Sequence, residues 1–249
     1  MAIRAPMMIE PEAATDVFAV KSYTGIGGNR TLDAAFGPVD MAIAKRLADS
    51  SAAINLTTRL TSKEFSTNVG DPEGSFNFVN LESNSLVVPG SYFSNSSGIP
   101  YGLWAWKRAK GFFDVVAYDG TDTYRWQSHS LGAVPEMIWV KGRTADVSWA
   151  VYHKDVGSSK YLMLNDDAGQ ISSSSRWGAS DPTDSLFRLG SSSMVNAASD
   201  TYVAYLFTTL DGISKCGSYV GNGTNQTIDC GFSAGARLIL IKPSSTSGA

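Results

Sequence analysis

The amino-acid sequence predicts an all-β protein built from tandem β-sandwich or jelly-roll units of about 100 residues each. Two observations lead to this prediction: a composition that suits short strands joined by turns, and strand-like motifs that recur along the chain. Charged residues make up 17% of the 249 residues, against about 25% in average soluble chains. Ser, Thr, Asn and Gly fill the difference, and they favour turns because glycine reaches positive φ and the others cap turns with their side chains.

A short strand that ends in Tyr-x-Gly occurs three times. The copies are residues 20–25, 115–120 and 216–221, and their final glycines are separated by 95 and then by 101 residues. Thirteen residues after each tyrosine comes an apolar residue followed by a small one, at Phe36-Gly37, Leu131-Gly132 and Phe232-Ser233. An apolar strand that ends near a lysine follows in each copy. Agreement of several motifs at common offsets indicates a true internal repeat.

The repeat predicts how the chain is organised. We expect an N-terminal arm over residues 1–15, a first β-sandwich unit over 16–110, a second over 111–212 and the start of a third over 213–249. Pro6 and Pro11 suit an extended arm, because proline fixes φ and donates no hydrogen bond. The third segment is too short for a whole unit. It is expected either to complete the fold of the second unit or to belong to something longer.

Individual strands follow from the hydrophobic pattern. Alternating or short apolar runs in the second unit predict strands at residues 113–118, 137–141, 149–153, 161–164, 186–189 and 201–207. Equivalents in the first unit include residues 76–81 and 85–88. Residues 40–48 have a helix-like pattern, but they occupy the position of a strand in the other copies. A strand is therefore predicted there too.

Several of the six tryptophans are predicted to lie in the core. Trp104 and Trp106 lie two residues apart, so both point to the same face of a strand. The second unit has Tyr205 and Phe207 at the same positions. A position occupied by a large aromatic side chain in both copies is typical of a core. Trp139 is predicted to be buried within its own apolar strand.

Trp126 and Trp177 are the candidate ligand-binding residues. Trp126 lies in the polar segment 124–127 and Trp177 follows a serine-rich loop, so both are predicted to be exposed. An exposed aromatic ring can stack on the C–H face of a sugar. The alternative is that a loop tryptophan covers the end of a sandwich.

No catalytic, metal or cofactor site is predicted. The acidic clusters at residues 166–167 and 181–184 lack the spacing of an EF-hand. His129 and His153 are not accompanied by a nucleophile motif such as Gly-x-Ser-x-Gly. The protein is therefore expected not to be an enzyme, and the two cysteines are expected to be buried free thiols.

Charge and hydropathy exclude two classes of partner. The net charge is −3 and no dense run of Lys or Arg occurs, which disfavours a nucleic-acid partner because such proteins contact phosphates through basic patches. No apolar stretch approaches the roughly 20 residues that span a bilayer. Nor does the N-terminus resemble a secretory signal, so synthesis and folding in a cytosol are expected.

The motifs resemble a repeat of phage virion proteins, particularly those of phages of aquatic bacteria. The similar strings are residues 202–207 (YVAYLF), 216–223 (CGSYVGNG), 230–232 (CGF), 238–242 (LILIK), 149–153 (WAVYH) and 101–107 (YGLWAWK). The resemblance covers residues 16–249 and is stronger from residue 111 onward. It implies lectin-like β-sandwich units and a place in the virion, with the tail favoured and residues 1–15 as the expected anchor on the particle.

The resemblance also implies a function and partners. It favours a tail-fibre or adhesin subunit, assembled in the host cytoplasm, whose units face a host-surface glycan. The expected partners are other phage virion proteins and further copies of the chain, with a trimer favoured by analogy with fibres. One alternative is a purely structural tail, collar or capsid-decorating protein. A carbohydrate-binding module of an enzyme is a further alternative.

Overall fold

The structure is a computed structural model that describes residues 8, 11, 13–49, 52–75, 77–83, 85–90 and 94–245. Strands account for 35% of these residues and helices for 3%, which confirms the predicted all-β class. Its sheets are antiparallel throughout the described pairings.

The strands fall into two successive sets, which we call the first half (residues 14–106) and the second half (residues 113–207). A short 3₁₀ turn, Ala14–Asp16, precedes the strands of the first half. Those strands are β1 (Phe18–Thr24), β2 (Arg30–Asp33), β3 (Met41–Arg46), β4 (Ile54–Thr58), β5 (Glu64–Ser66), β6 (Asn80–Leu81), β7 (Ser85–Val88) and β8 (Pro100–Trp106). The second half contains β9 (Phe113–Asp119), β10 (Arg125–Ser128), β11 (Met137–Gly142), β12 (Ala150–His153), β13 (Lys160–Met163), β14 (Ile171–Ser172), β15 (Leu186–Leu189), the one-turn helix α1 (Ser193–Asn196) and β16 (Thr201–Phe207).

The larger sheets of the two halves have corresponding strand orders. The order is β1-β8-β3-β4-β5 in the first half and β9-β16-β11-β12-β13-β14 in the second. In each, the last strand of the half lies between the first and the third and is antiparallel to both. The smaller sheets are β2-β7-β6 and β10-β15. Residues 40–48, whose pattern is helix-like, contain strand β3.

The described strands lie inside the ranges predicted for the units. β1–β8 fall within residues 16–110 and β9–β16 within residues 111–212, although the unit boundaries themselves stay predictions. Of the predicted arm, residues 1–7, 9–10 and 12 lie outside the described residues. Residues 213–245 form no strand in the described chain and add none to the sheets of the second half; an isolated bridge joins Leu210 and Ser214.

Strand alternation divides the side chains of each larger sheet between two cores. One face packs within its own half, as Leu103 does in the first half and Ile138 in the second. The other face contributes to a core that the halves share. This shared core contains Met41 and Trp106 from the first half and Trp149, among others, from the second. One face of each larger sheet is therefore covered by the other half of the chain.

The shared core contains the tryptophans that were predicted to be buried. Trp106 and Trp139 are each 5% exposed, which confirms the prediction for both. Trp104 is partly buried and packs against the same core. The pair on β8 thus packs against the core that the two halves share.

A buried lysine also crosses the contact between the halves. Lys141 lies two residues after Trp139 on β11, so the two side chains point to the same face of the strand. Lys141 has no exposed surface. Its Nζ donates hydrogen bonds to the carbonyl oxygens of Gly70 at 2.9 Å, Gly142 at 3.1 Å and Val147 at 3.0 Å. Burial lowers the pKa of this ammonium to about 8, an effect that two nearby aspartates partly oppose.

Replacing Lys141 by Met should remove a pH dependence of stability. The folded state releases this proton near pH 8, whereas the unfolded chain keeps it to an ordinary pKa of 10.5. Between these values the unfolded state binds more protons, so the wild-type free energy of unfolding gains a contribution that rises with pH. Urea titrations from pH 7 to pH 10 should show the difference between wild type and Lys141→Met rising in this window.

The matched control is Lys63→Met, since the side chain of Lys63 is 49% exposed. The contrast between the two variants over the same range of pH isolates the effect of the buried position. A difference for Lys141→Met that does not rise with pH would contradict a desolvated ammonium at this position.

Candidate functional site

A group of two exposed aromatic rings and a partly buried arginine lies on the smaller sheet of the second half. We call Tyr124, Trp126 and Arg188 the aromatic–arginine patch. Tyr124 is 47% and Trp126 is 40% exposed, so the exposure predicted for Trp126 is confirmed. The guanidinium carbon of Arg188 lies 5.3 Å from the ring centroid of Trp126 and 5.9 Å from that of Tyr124.

Strand register explains why Trp126 and Arg188 lie on the same outward face of the sheet. β10 and β15 are antiparallel, and Trp126 lies directly opposite Arg188. Their neighbours Phe187 and Leu189 are buried in the core of the second half. Because successive side chains of a strand point to opposite faces, Arg188 must point outward, and its cross-strand partner Trp126 shares that face.

A glycine brings the preceding loop against the patch. Gly178 has φ +60°, and a Cβ there would lie 3.0 Å from Cγ of Arg188 and 3.1 Å from Cδ1 of Tyr124. Positive φ of this kind is readily adopted only by glycine. The loop backbone therefore packs closely on the arginine and the tyrosine, and it restricts the positions that they can take.

The prediction that Trp177 is exposed is wrong. Its side chain is 2% exposed and packs edge-on against Tyr152, with ring centroids 5.9 Å apart and planes at 75°. The serine-rich loop folds over the end of the second-half core and inserts this ring into it. Trp177 thus anchors the loop, and its neighbour Gly178 packs against the patch.

The shared strand pattern does not require the patch. In the first half, Thr31 lies opposite Val87 on β2 and β7, where the second half has Trp126 opposite Arg188. The residue that corresponds to Tyr124 at the offset of 95 is Asn29. Small or non-aromatic side chains are therefore compatible with the same pairing. The aromatic rings of the second half need a reason other than sheet formation.

The patch offers binding chemistry. The aromatic faces can contact the C–H groups of a sugar ring, and the guanidinium can donate hydrogen bonds to hydroxyl or carboxylate oxygens. The three side chains include no carboxylate, imidazole or thiol that could act as an acid, base or nucleophile. Sequence reasoning selected Trp126 and missed its two companions. The only available signal was the arginine in the otherwise apolar strand 186–189.

His129 and the two cysteines lie outside the patch, and Cys230 is only partly buried, whereas both thiols were expected to be buried. Ring nitrogens of His129 lie 3.2 Å from the carbonyl oxygen of Thr183 and 3.2 Å from the backbone nitrogen of Leu131, and burial lowers the pKa of the ring. Cys216 and Cys230 are free thiols, and burial raises the pKa of Cys216 to about 12. A thiol with so high a pKa is a poor nucleophile.

Neither a metal cluster nor a spanning helix is found in the described chain. Within the described ranges, His, Cys, Asp and Glu side chains do not assemble in groups of three or more that could hold a metal ion. The described helices are all too short or too polar to cross a membrane.

Comparison with known proteins identifies a family. Neither the curated proteins nor the solved structures give a match to this chain. One family model matches residues 13–249, which include both halves of the fold and the segment that follows them. The chain therefore belongs to the family described as Domain of unknown function (DUF7483).

Proposed function

We propose that this protein is a phage virion structural protein, a tail-fibre or adhesin subunit that binds host-surface glycans through the aromatic–arginine patch. The observation that carries glycan binding is the patch itself, with two exposed rings that flank one guanidinium. The virion assignment is supported by the resemblance of residues 16–249 to a phage virion repeat.

The composition of the patch favours a particular kind of glycan. Exposure of an aromatic ring to water is unfavourable, so a surface that keeps two such rings together is commonly a binding site. Arg188 adds a cation with planar donors, which suits a carboxylate more than a neutral hydroxyl. An acidic polysaccharide that contains uronic acids matches both features.

The remaining parts of the proposal concern the particle. Residues 1–15 attach the subunit to other phage virion proteins, and the β-rich part projects toward the host. The subunit assembles in the host cytoplasm as a homo-oligomer, with a trimer favoured. Imaging of intact virions at a resolution that traces the chain tests these points. A patch that faces solvent supports the adhesin.

Replacing Trp126 by Ala should weaken glycan binding about tenfold, since one aromatic contact contributes about 1 kcal/mol or more. Stability should change little, because the ring is 40% exposed. The measurement is titration of the full chain onto immobilised acidic polysaccharides, uronic-acid polymers included. The control is Val134→Ala, which shortens another exposed side chain of the second half. Equal affinity of both variants for every bound polysaccharide would contradict the assignment of the patch.

A purely structural tail, collar or capsid-decorating protein is the second candidate function. The observation that favours it is the exposed apolar side chains between residues 219 and 241, which include Val220 at 86% and Ile239 at 70% exposed. Such side chains are typical of a contact with another protein. Virion images in which the aromatic–arginine patch is buried between subunits would support this candidate and exclude the adhesin.

A further inference from the structure

The same set of four residues occurs in both halves of the fold, at the place where the first strand meets the segment before the last strand. We call it the closing corner. It consists of Tyr23, Gly25, Asn95 and Tyr101 in the first half and of Tyr118, Gly120, Asn196 and Tyr202 in the second. The paired tyrosines stack with centroids 5.1 Å apart in the first half and 5.4 Å apart in the second. Each corner joins the first strand of its half to the segment that leads into the last strand.

The asparagine of each corner is buried and fully engaged. Asn95 and Asn196 have no exposed surface. Oδ1 of Asn196 accepts a hydrogen bond from the backbone N–H of Thr121 at 2.9 Å, and its Nδ2 donates to the carbonyl of Thr123 at 2.7 Å. Asn95 makes the corresponding bonds to Ile26 and Gly28. The asparagine therefore holds the turn after Tyr-x-Gly in place.

The glycine of each corner leaves room for the closing segment. A Cβ on Gly25 would lie 2.0 Å from the carbonyl oxygen of Ser96, and a Cβ on Gly120 would lie 1.8 Å from that of Ala197. These atoms belong to the backbone and cannot rotate away. Glycine is thus required at this position only when the closing segment is bound.

The third Tyr-x-Gly copy has formed its own part of the corner. Nε2 of Gln226 donates to the carbonyl of Val220 at 3.1 Å. The equivalent bond of the second half lies 101 residues earlier in the chain, where Arg125 donates to the carbonyl of Asp119. In the first half, Arg30 donates to the carbonyl of Thr24. The turn after Tyr219 therefore makes the same contact as the turns of the two closed corners.

The partner of this third corner is missing from the described chain. Tyr219 is 50% exposed, whereas Tyr23 and Tyr118 are buried. In the described chain, no atom lies within 4 Å of the position that a Cβ on Gly221 would take. The apolar run 238–241 is 41% to 70% exposed, although the corresponding residues of β11 lie within a sheet. In both halves, the strand that pairs with these two segments is the last strand of the half.

We propose that residues 216–242 form a docking site for a β-strand of a partner polypeptide. The strand carries the pattern Asn-x5-Tyr followed by alternating bulky apolar residues, as β8 and β16 do. It would lie antiparallel between residues 216–220 and 238–242, and it would complete the third closing corner. A folded second copy does not supply it, because β8 and β16 are already paired along both edges. The docking mode is strand addition, in which main-chain bonds give affinity and side-chain pockets give specificity.

The test uses a labelled peptide of residues 192–208, which contains Asn196 and Tyr202, added to the full chain. Fluorescence anisotropy should show saturable binding, and hydrogen exchange should show new protection within residues 216–242. Asn196→Ala in the peptide should weaken binding at least tenfold. Absence of binding would overturn the proposal, as would protection confined to β9 and β11, which would indicate exchange with β16. The same residues fused after Ala249 through a Gly/Ser linker test the pairing if the free peptide is insoluble.

A glycine variant separates docking from folding. Gly221→Ala should leave the unfolding midpoint of the free chain unchanged, because its Cβ has open space in the described structure. It should abolish peptide binding, because the closed corners bring a carbonyl oxygen to within 2.0 Å of that position. The control is Gly217→Ala, which also has open space and has Val116 as its counterpart on β9. Binding that survives Gly221→Ala would overturn the proposal.

Discussion

Replacing Asn196 by Ala is expected to lower the free energy of unfolding by about 2–4 kcal/mol, because it removes the side-chain hydrogen bonds of a fully buried amide, one of them to the buried carbonyl of Gly190. The side chain is fully buried and bonds to Thr121, Thr123 and, through Nδ2 at 2.8 Å, to the carbonyl of Gly190. Urea unfolding followed by tryptophan fluorescence measures the loss. Asn225→Ala is the control, since Asn225 is exposed, and it should change stability by less than about 0.5 kcal/mol.

The first half offers a parallel variant. Asn95 holds the corresponding turn with bonds to Ile26 and Gly28, so Asn95→Ala should produce a loss of similar size. A loss below 1 kcal/mol in both variants would mean that water replaces these bonds, and that the corner does not hold the fold closed.

The closing corner also shows how far the sequence could be interpreted. The Tyr-x-Gly strands were recognisable because the same local contact recurs at offsets of 95 and 101 residues. Asn95 and Asn196 share the second offset but were not singled out, because a lone asparagine between small or apolar residues is indistinguishable from a turn residue. Its role depends on contacts with residues 67 to 75 positions away in the chain.

The strands were predictable and the burial of loop residues was not. Short apolar runs over residues 137–141 and 201–207 predict strands β11 and β16, since β-branched and aromatic residues bounded by turn residues favour strands. Trp177 lies among serines, and its burial depends on how the loop folds over a core formed by distant strands. In the same way, apolar residues on both faces of β11 indicate that both faces are covered. They do not indicate that the other half of the chain covers one of them.

Within the shared core, Trp149 links the two halves through both a hydrogen bond and a ring contact. Its side chain is fully buried, and its Nε1 donates to the carbonyl of Ser66 at 3.1 Å. The ring also packs edge-on against Phe65, with centroids 5.8 Å apart. Both partners belong to the first half, whereas Trp149 precedes β12 of the second. We therefore expect this side chain to couple the folding of the two halves.

Trp149→Ala is expected to lower the free energy of unfolding by about 3–5 kcal/mol, the usual cost of removing a large ring from a core. Because the shared core spans both halves, the wild type should unfold in one transition by every probe, whereas the variant should separate the transitions of the two halves. Calorimetry and hydrogen exchange measure this separation.

Trp149→Phe keeps most of the packing and loses the bond to Ser66, so an intermediate loss of about 1–2 kcal/mol is expected. Trp126→Ala is the matched control on an exposed ring. If Trp149→Ala behaved like that control, the halves would fold independently and the shared core would be a contact without energetic consequence.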